Sequence, residues 1–305
     1  MRDRTRRSHP IRRLLRAGPA LLAALVVAGC GGDDEQAAAP VEQDAARQFE
    51  AGTAMDRIAQ RGSIRIGAKK DQPGVGFQEP GADAPAGFDI EIAKIVAGEL
   101  GIEPGGIEWV ETVSKNREPF LQNGTVDLVV ASYSITDERR EIVGQAGPSY
   151  VTGQQLLVRE EDKDAVDGPR KLGGRKVCSV TGSTSIKTVE EEYGAEPAPF
   201  ATYSECVQQL LNGQVDAVTT DGAILLGYAA QQPEELEVVG PEFSEERYGI
   251  GYRKRDAEMC RFLSDTIEES FRNGAWREAF ARTLGESGAG APQPPQVDPC
   301  PSAAA

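Results

Sequence analysis

One phrase occurs twice in this chain, 89 residues apart: "LQNGTVDLVVAS" from Leu121 to Ser132 and "LLNGQVDAVTTD" from Leu210 to Asp221. The copies agree at six of twelve positions. In each, a leucine row stops at Asn-Gly, the usual end of a helix, and a β-branched run with Asp as its second residue follows. Each copy is therefore the end of a helix feeding a strand. A chain that writes this junction twice builds two similar units, and 305 residues exceed what one hydrophobic core ordinarily supports. The copies finish differently, on a small hydroxyl residue (Ser132) in one and on an acid (Asp221) in the other.

The surrounding segments repeat the same alternation. "DRIAQRGSIRIGAKKDQPG" gives a short helix, a break at Gly62 and a strand through Ile64 and Ile66. "GFDIEIAKIVAGELG" places Ile92, Ile95, Val96 and Leu100 on one helical face, with Asp89 as its expected cap and Gly101 as its stop. "IEWVETV" reads as a strand, and a helix through Phe120 leads into the first repeat. From "RKVCSV" (Arg175 to Val180) the pattern begins again: strand, the loop "TGSTS", a helix through Tyr193, a strand near Phe200, the helix "SECVQQLLNG" and the strand "VDAVTT". Another strand at "YGIGYRK" and two helices, ending near "WREAFART", follow. The alternation predicts two α/β lobes, each a mostly parallel sheet flanked by helices. The last twenty residues are Gly-, Pro- and Ala-rich and read as loose except where Cys300 is pinned.

Ahead of the lobes, seven arginines between Arg2 and Arg16 precede the apolar stretch "ALLAALVVA", which is too short to span a bilayer. Residues 1–29 are read as a cleaved export signal, with the secretory and twin-arginine routes both open. "VVAGC" resembles the lipobox of bacterial lipoproteins, which makes Cys30 the lipidated first residue of the mature protein. The small, acidic segment at 30–51 then serves as a flexible tether to the membrane. Outside the cytoplasm, Cys178, Cys206, Cys260 and Cys300 suggest two disulfides. Of the three connectivities, local order favours Cys178–Cys206 and Cys260–Cys300.

Composition removes several functions. The single histidine, His9, lies in the signal, so histidine-dependent triads and most catalytic zinc sites are excluded. No Cys-x-x-Cys pair is present; no metal and no cofactor are expected. Without residues 1–29 the chain keeps 26 basic and 47 acidic side chains, a formal charge of −21 that disfavours nucleic acid. Any anionic ligand must be held by a few well-placed donors.

"GFDIEIAKIVAGELG", "LQNGTVDLVVASYSITDERR", "GPSYVTGQQLLV", "VTGSTS" and "VDAVTTDGAIL", in this order, resemble the polar-amino-acid solute-binding proteins of ABC importers. "KKDQPGVGF" and the paired cysteines look most like the glutamate-binding lipoproteins of actinobacteria. The resemblance runs from about Ile64 to Gly285. It implies the two-lobed periplasmic-binding-protein fold (type II), with lobe 1 at 52–153 plus 246–285, lobe 2 at 154–245 and a tail at 286–305. The chain would cross near "VTGQQ" and return near "FSEERYG". Such a protein closes like a clamshell on its ligand.

In open α/β sheets ligands bind beyond the carboxyl ends of the strands, so both repeats aim at the cleft. The resemblance makes Arg139 the partner of the ligand α-carboxylate, through a rigid guanidinium fork that lysine cannot reproduce. Ser134 would add a hydroxyl, Ser132 a backbone carbonyl to the ligand ammonium, and Asp221 the ammonium's acid. At "TGSTS", Gly182 and the backbone N–H groups of Ser183 and Thr184 would favour the carboxylate from lobe 2. Arg139 as a solvated helix-start charge, and Asp221 as a simple helix cap, are the bland alternatives. For a glutamate side chain the candidate cations are Lys69, Lys70 and Arg117, with Phe77 and Tyr133 against its aliphatic part.

The resemblance further implies a monomeric, lipid-anchored receptor that passes L-glutamate, or a related polar amino acid, to membrane permease subunits driven by a separate ATPase. No phosphate-binding Gly-rich Lys motif is present in the chain. Two other readings stand beside it. A dehydratase-like enzyme on the same fold would need a general acid in the cleft, for which Glu79, Glu111 and Glu205 are candidates. A sensor module would need an attached transmembrane segment and signalling domain, which the sequence does not carry.

Overall fold

The computed structural model describes residues 48–290 and 292–301. The export signal, Cys30 and the tether up to residue 47 lie outside the described residues. Residues 48–51, the expected tether end, are not free: Phe49 packs edge-on against Phe262, ring centroids 5.7 Å apart.

Thr53 begins the first helix by accepting the Asp56 N–H at 3.1 Å. The elements of the first half are α1 (Ala54–Arg61), β1 (Ile64–Ala68), the hairpin β2 (Asp71–Gln72) and β3 (Gly76–Phe77), and α2 (Phe88–Glu99). They continue with β4 (Ile107–Glu111), α3 (Arg117–Asn123), β5 (Leu128–Val129), α4 (Asp137–Ile142) and β6 (Gly144–Thr152). After Gly153 come β7 (Gln154–Arg159), β8 (Lys176–Val180), α5 (Thr184–Tyr193), β9 (Glu196–Phe200), α6 (Tyr203–Leu211), β10 (Ala217–Asp221), α7 (Gly222–Gln231) and β11 (Leu236–Val239). The chain ends with β12 (Glu246–Tyr252), α8 (Ala257–Asn273) and α9 (Ala275–Ala281).

Two five-stranded sheets result, ordered β4-β1-β5-β12-β6 and β11-β7-β10-β8-β9. Each is mixed rather than mostly parallel. β1 runs parallel to β4 and β5, and β8 parallel to β9 and β10. The strands carrying the chain between sheets run against their neighbours: β12 against β5 and β6, β7 against β10 and β11. The chain leaves the first sheet between Thr152 and Gln154 and returns between Val239 and Glu246. The chain thus crosses between the two sheets twice.

The repeated phrase builds one junction in both lobes. α3 and α6 end at Gly124 (φ 74°) and Gly213 (φ 68°), a left-handed backbone that glycine adopts without steric cost. The repeated Asp then fastens its strand to the neighbour. Asp127 accepts the Arg65 N–H at 2.8 Å while its own N–H donates to the Arg65 carbonyl. Asp216 does the same with Lys176, at 2.7 Å.

Apolar side chains from both sheets meet in a continuous core. In lobe 1, Phe88, Tyr150, Trp276 and Phe280 interlock with centroids 5.3–6.3 Å apart, each burial worth roughly 1.5–3 kcal/mol. The disulfides pair by local order: Cys178–Cys206 ties β8 to α6, and Cys260–Cys300 ties α8 to the C-terminal segment. That segment is not loose where it is described. Asp298 pairs with Arg140 and Arg247, and its N–H donates to the Gly147 carbonyl at 2.7 Å, strapping α4 to β6 and β12.

Candidate functional site

Both repeated phrases end at one small cavity between the sheets, at the carboxyl ends of their strands. Lobe 1 lines it with Ser114, Arg117, Ser132 and Ser134; lobe 2 with Ser183, Thr184, Ser185, Tyr203, Thr220 and Asp221. β5 stops early because the chain turns at Ser132, where φ is +42°. That turn is held on both sides. The Ser132 N–H donates to Asp89 at 2.5 Å and its carbonyl accepts from Arg117 at 2.9 Å. Asp89 is thus a buried anchor one residue inside α2, not the cap expected; Gly87 holds the N-cap position, with no side-chain bond.

Three buried cations come from lobe 1. Arg117 donates to the carbonyls of Ser114, Ala131 and Ser132 and, across the cleft, to Gly182 at 3.2 Å. Arg139 adjoins the cavity, donating to the carbonyls of Ser134 (2.7 Å) and Gly182 (3.0 Å), with Glu118 3.3 Å from its Nε. Neither is a solvated surface charge: they are 2% and 8% exposed. Burial, reinforced by Arg139, pushes Arg117 down to about 10, so it stays charged at neutral pH. Lys69 is buried with its ammonium donating to the Ser114 hydroxyl at 2.8 Å. Burial and the two arginines push Lys69 down to about 7, against the pull of Asp71 and Asp89.

Lobe 2 answers with acid. Asp221 is buried, occupies the N-cap position of α7 without making a capping bond, and accepts the Tyr248 hydroxyl at 2.6 Å. Burial, then the neighbouring Glu246, push its carboxyl up to about 8, although Tyr248, Arg117 and Arg139 oppose this. Glu246, the buried first residue of the returning strand, takes hydrogen bonds from Thr184 (3.0 Å) and Ser244 (3.1 Å). The cavity therefore carries guanidinium on one wall and, on the other, a carboxyl that stays protonated at neutral pH unless a cation joins it.

Several expectations change here. The Ser183 N–H is spent on the Val180 carbonyl and the Ser183 hydroxyl caps the Ile186 N–H at 3.1 Å, while the Gly182 carbonyl of the same turn accepts from both arginines. Gly182 is confined by the opposite lobe: a Cβ there would stand 2.9 Å from the Lys115 Cα. Tyr133 does not line the cavity. Its ring lies under both guanidiniums, 4.5 Å from that of Arg117 and 5.1 Å from that of Arg139. Phe77 faces an outer groove with Glu79 and Arg282, and Lys70 lies half-buried ahead of β2, away from the cavity lining. Glu79, Glu111 and Glu205 are all exposed, and Glu205 closes the capping box of α6 with Thr202. The sequence reading missed Ser114, Tyr203, Thr220, Tyr248, Asp89 and Glu246. Only Thr220, one residue before Asp221 in the repeat, carried a signal.

The model of the bacterial extracellular solute-binding proteins, family 3, matches residues 64–286. The chain belongs to this family. Among family 3 relatives, a glutamate-binding protein of Corynebacterium efficiens is 38% identical over 248 residues, 78% of this chain and 84% of that protein. A glutamine-binding protein of Geobacillus stearothermophilus is 35% identical over 254 residues, 81% of this chain and 95% of that protein. The structure of an ancestral arginine-binding protein bound to glutamine superposes with a TM-score of 0.68 at 33% identity, covering 74% of this chain and 99% of that one. The two-sheet arrangement is the type II periplasmic-binding-protein fold, and the family 3 chain is a substrate-binding protein.

Proposed function

We propose that this protein is the extracytoplasmic receptor of an ABC importer for L-glutamate, captured between the closing lobes and handed to permease subunits powered by a separate ATPase. The carrying observation is Lys69, a buried amine behind the cavity-lining Ser114, whose hydrogen bond among the described residues goes to that hydroxyl and to no carboxylate. Burying an amine with no directly bonded carboxylate disfavours its charged form, and a ligand γ-carboxylate would restore it. Arg139 and Arg117 serve the α-carboxylate and Asp221 the ammonium. That the Corynebacterium relative is by its name a glutamate-binding protein supports the same choice over an amide. No chemistry is part of this reading, and Cys30 supplies the membrane anchor.

Calorimetric titration of residues 48–305 with L-glutamate, L-glutamine, L-aspartate and L-asparagine tests it. Tight binding of glutamate, at least tenfold over glutamine, is the expected result. Preference for an amide would sink the role of Lys69. No binding to any of the four by folded protein would move the weight to the enzyme reading, with Asp221 rather than the exposed glutamates as the acid in the cavity.

A further inference from the structure

The hairpin that follows Lys69 belongs to lobe 1 at its tip and to lobe 2 at its base. At the tip, Val75 is fully buried, and the carbonyls of Gly74 and Val75 accept the N–H groups of Phe88 and Asp89 at the start of α2. At the base, the Asp71 carboxylate accepts the Tyr203 N–H of α6 at 2.7 Å, and the Asp71 carbonyl accepts the Tyr228 hydroxyl of α7. The first N–H groups of a helix lack partners within it, and the capping box of α6, which serves Ala201, Thr202 and Glu205, does not reach that of Tyr203. The other lobe thus supplies the carboxylate for this helix start, where the helix dipole favours negative charge. Beside it α7 approaches so closely that a Cβ on Gly227 would stand 2.2 Å from the Pro73 carbonyl oxygen.

We propose that this hairpin is a latch that holds the lobes shut, with Asp71 as its positioning residue. All three contacts join lobe 1 to lobe 2, so opening breaks them together, and none requires a ligand atom. The latch favours the closed state over the open one and slows release without adding a contact to the ligand. Because it starts two residues after Lys69, recognition of an acidic side chain and retention of the ligand are coupled in one short segment. The role in retention rests on the proposed capture by closure.

The test compares wild type with Asp71→Asn, Tyr228→Phe and Gly227→Ala in two readouts: glutamate association and release by stopped flow, and the distance between fluorescent labels on the two lobes without ligand. All three variants are expected to release glutamate about tenfold faster, the scale of one lost hydrogen bond, with association within about twofold and a longer ligand-free distance. Gly227→Ala separates latch from scaffold, since alanine favours helix and α7 should melt no earlier while release accelerates. An effect confined to Asp71→Asn would assign the residue to charge support of Lys69 and overturn the latch, as would variants matching wild type in both readouts. If glutamate binds none of the proteins, the transport reading fails and the ligand-free distance alone decides the latch.

Discussion

Lobe 1 and lobe 2 reach the cavity by the same route and arrive with different groups, guanidinium in one and a carboxyl in the other. In both, a glycine-stopped helix passes into a strand fastened by an aspartate, Asp127 in one and Asp216 in the other. In lobe 2 the strand runs straight for five residues and delivers the Asp221 carboxylate at its end. In lobe 1 it stops after two, and the turn at Ser132 presents a carbonyl to Arg117 in place of a side chain. The junction is scaffold, and how the strand leaves it sets the chemistry. Duplicated architecture thus sets different groups on the two walls of one cavity.

Breaking the lobe 1 arm gives the largest expected effect. Arg139→Lys keeps the charge but loses the fork, and calorimetry should show glutamate affinity falling by about 100-fold or more. Affinity within tenfold of wild type would remove Arg139 from carboxylate recognition. Next come two substitutions that sharpen the contrast between lobes through opposite pH signs. Asp221 titrates higher in the folded protein, at about 8, than its ordinary value of 3.8, so its stability contribution is lost as pH rises toward 8. Lys69 titrates lower, at about 7 against 10.5, so its contribution is lost as pH falls through 7. Thermal melts should show Asp221→Asn gaining most over wild type near pH 8–9. Lys69→Met should gain about 1–4 kcal/mol at pH 6, fading toward pH 10, while its glutamate preference over glutamine drops by about 10-fold or more. Equal melting curves at both pH values would contradict the buried-charge account.

The smallest effect tests the scaffold itself. Asp127 is 15% exposed and pairs with Arg61 at 2.6 Å and Arg65 at 3.0 Å, whereas Asp216 is 41% exposed with Arg175 at 3.9 Å. Asp127→Asn should cost about 2 kcal/mol and Asp216→Asn about 1 kcal/mol in denaturant unfolding. The reverse order would show that the two junctions are not equivalent in kind.

The sequence made periodic features legible and long-range ones opaque. The two repeats, the α/β alternation and the residues at strand ends, Ser132 and Asp221, follow from local pattern. Lys69 and Lys70 are adjacent and alike in sequence, yet only Lys69 turns inward, because the hairpin after them is anchored by α2 and lobe 2. Asp89 looked like a cap because capping preference is local, whereas its partner, Ser132, lies in the first repeat. The C-terminal segment read as loose from its Gly and Pro content, since nothing nearby reveals that Asp298 meets Arg140 and Arg247.

The position of β12 between β5 and β6 sets the order in which the molecule can be completed. Every strand of the lobe 2 sheet lies between Gln154 and Val239, so that sheet and its Cys178–Cys206 bond can form from one continuous stretch. The lobe 1 sheet keeps a gap until the strand beginning at Glu246 arrives from the far side of lobe 2. In a chain emerging N-terminus first, the lobe that starts first finishes last, with the unpaired edges of β5 and β6 exposed meanwhile.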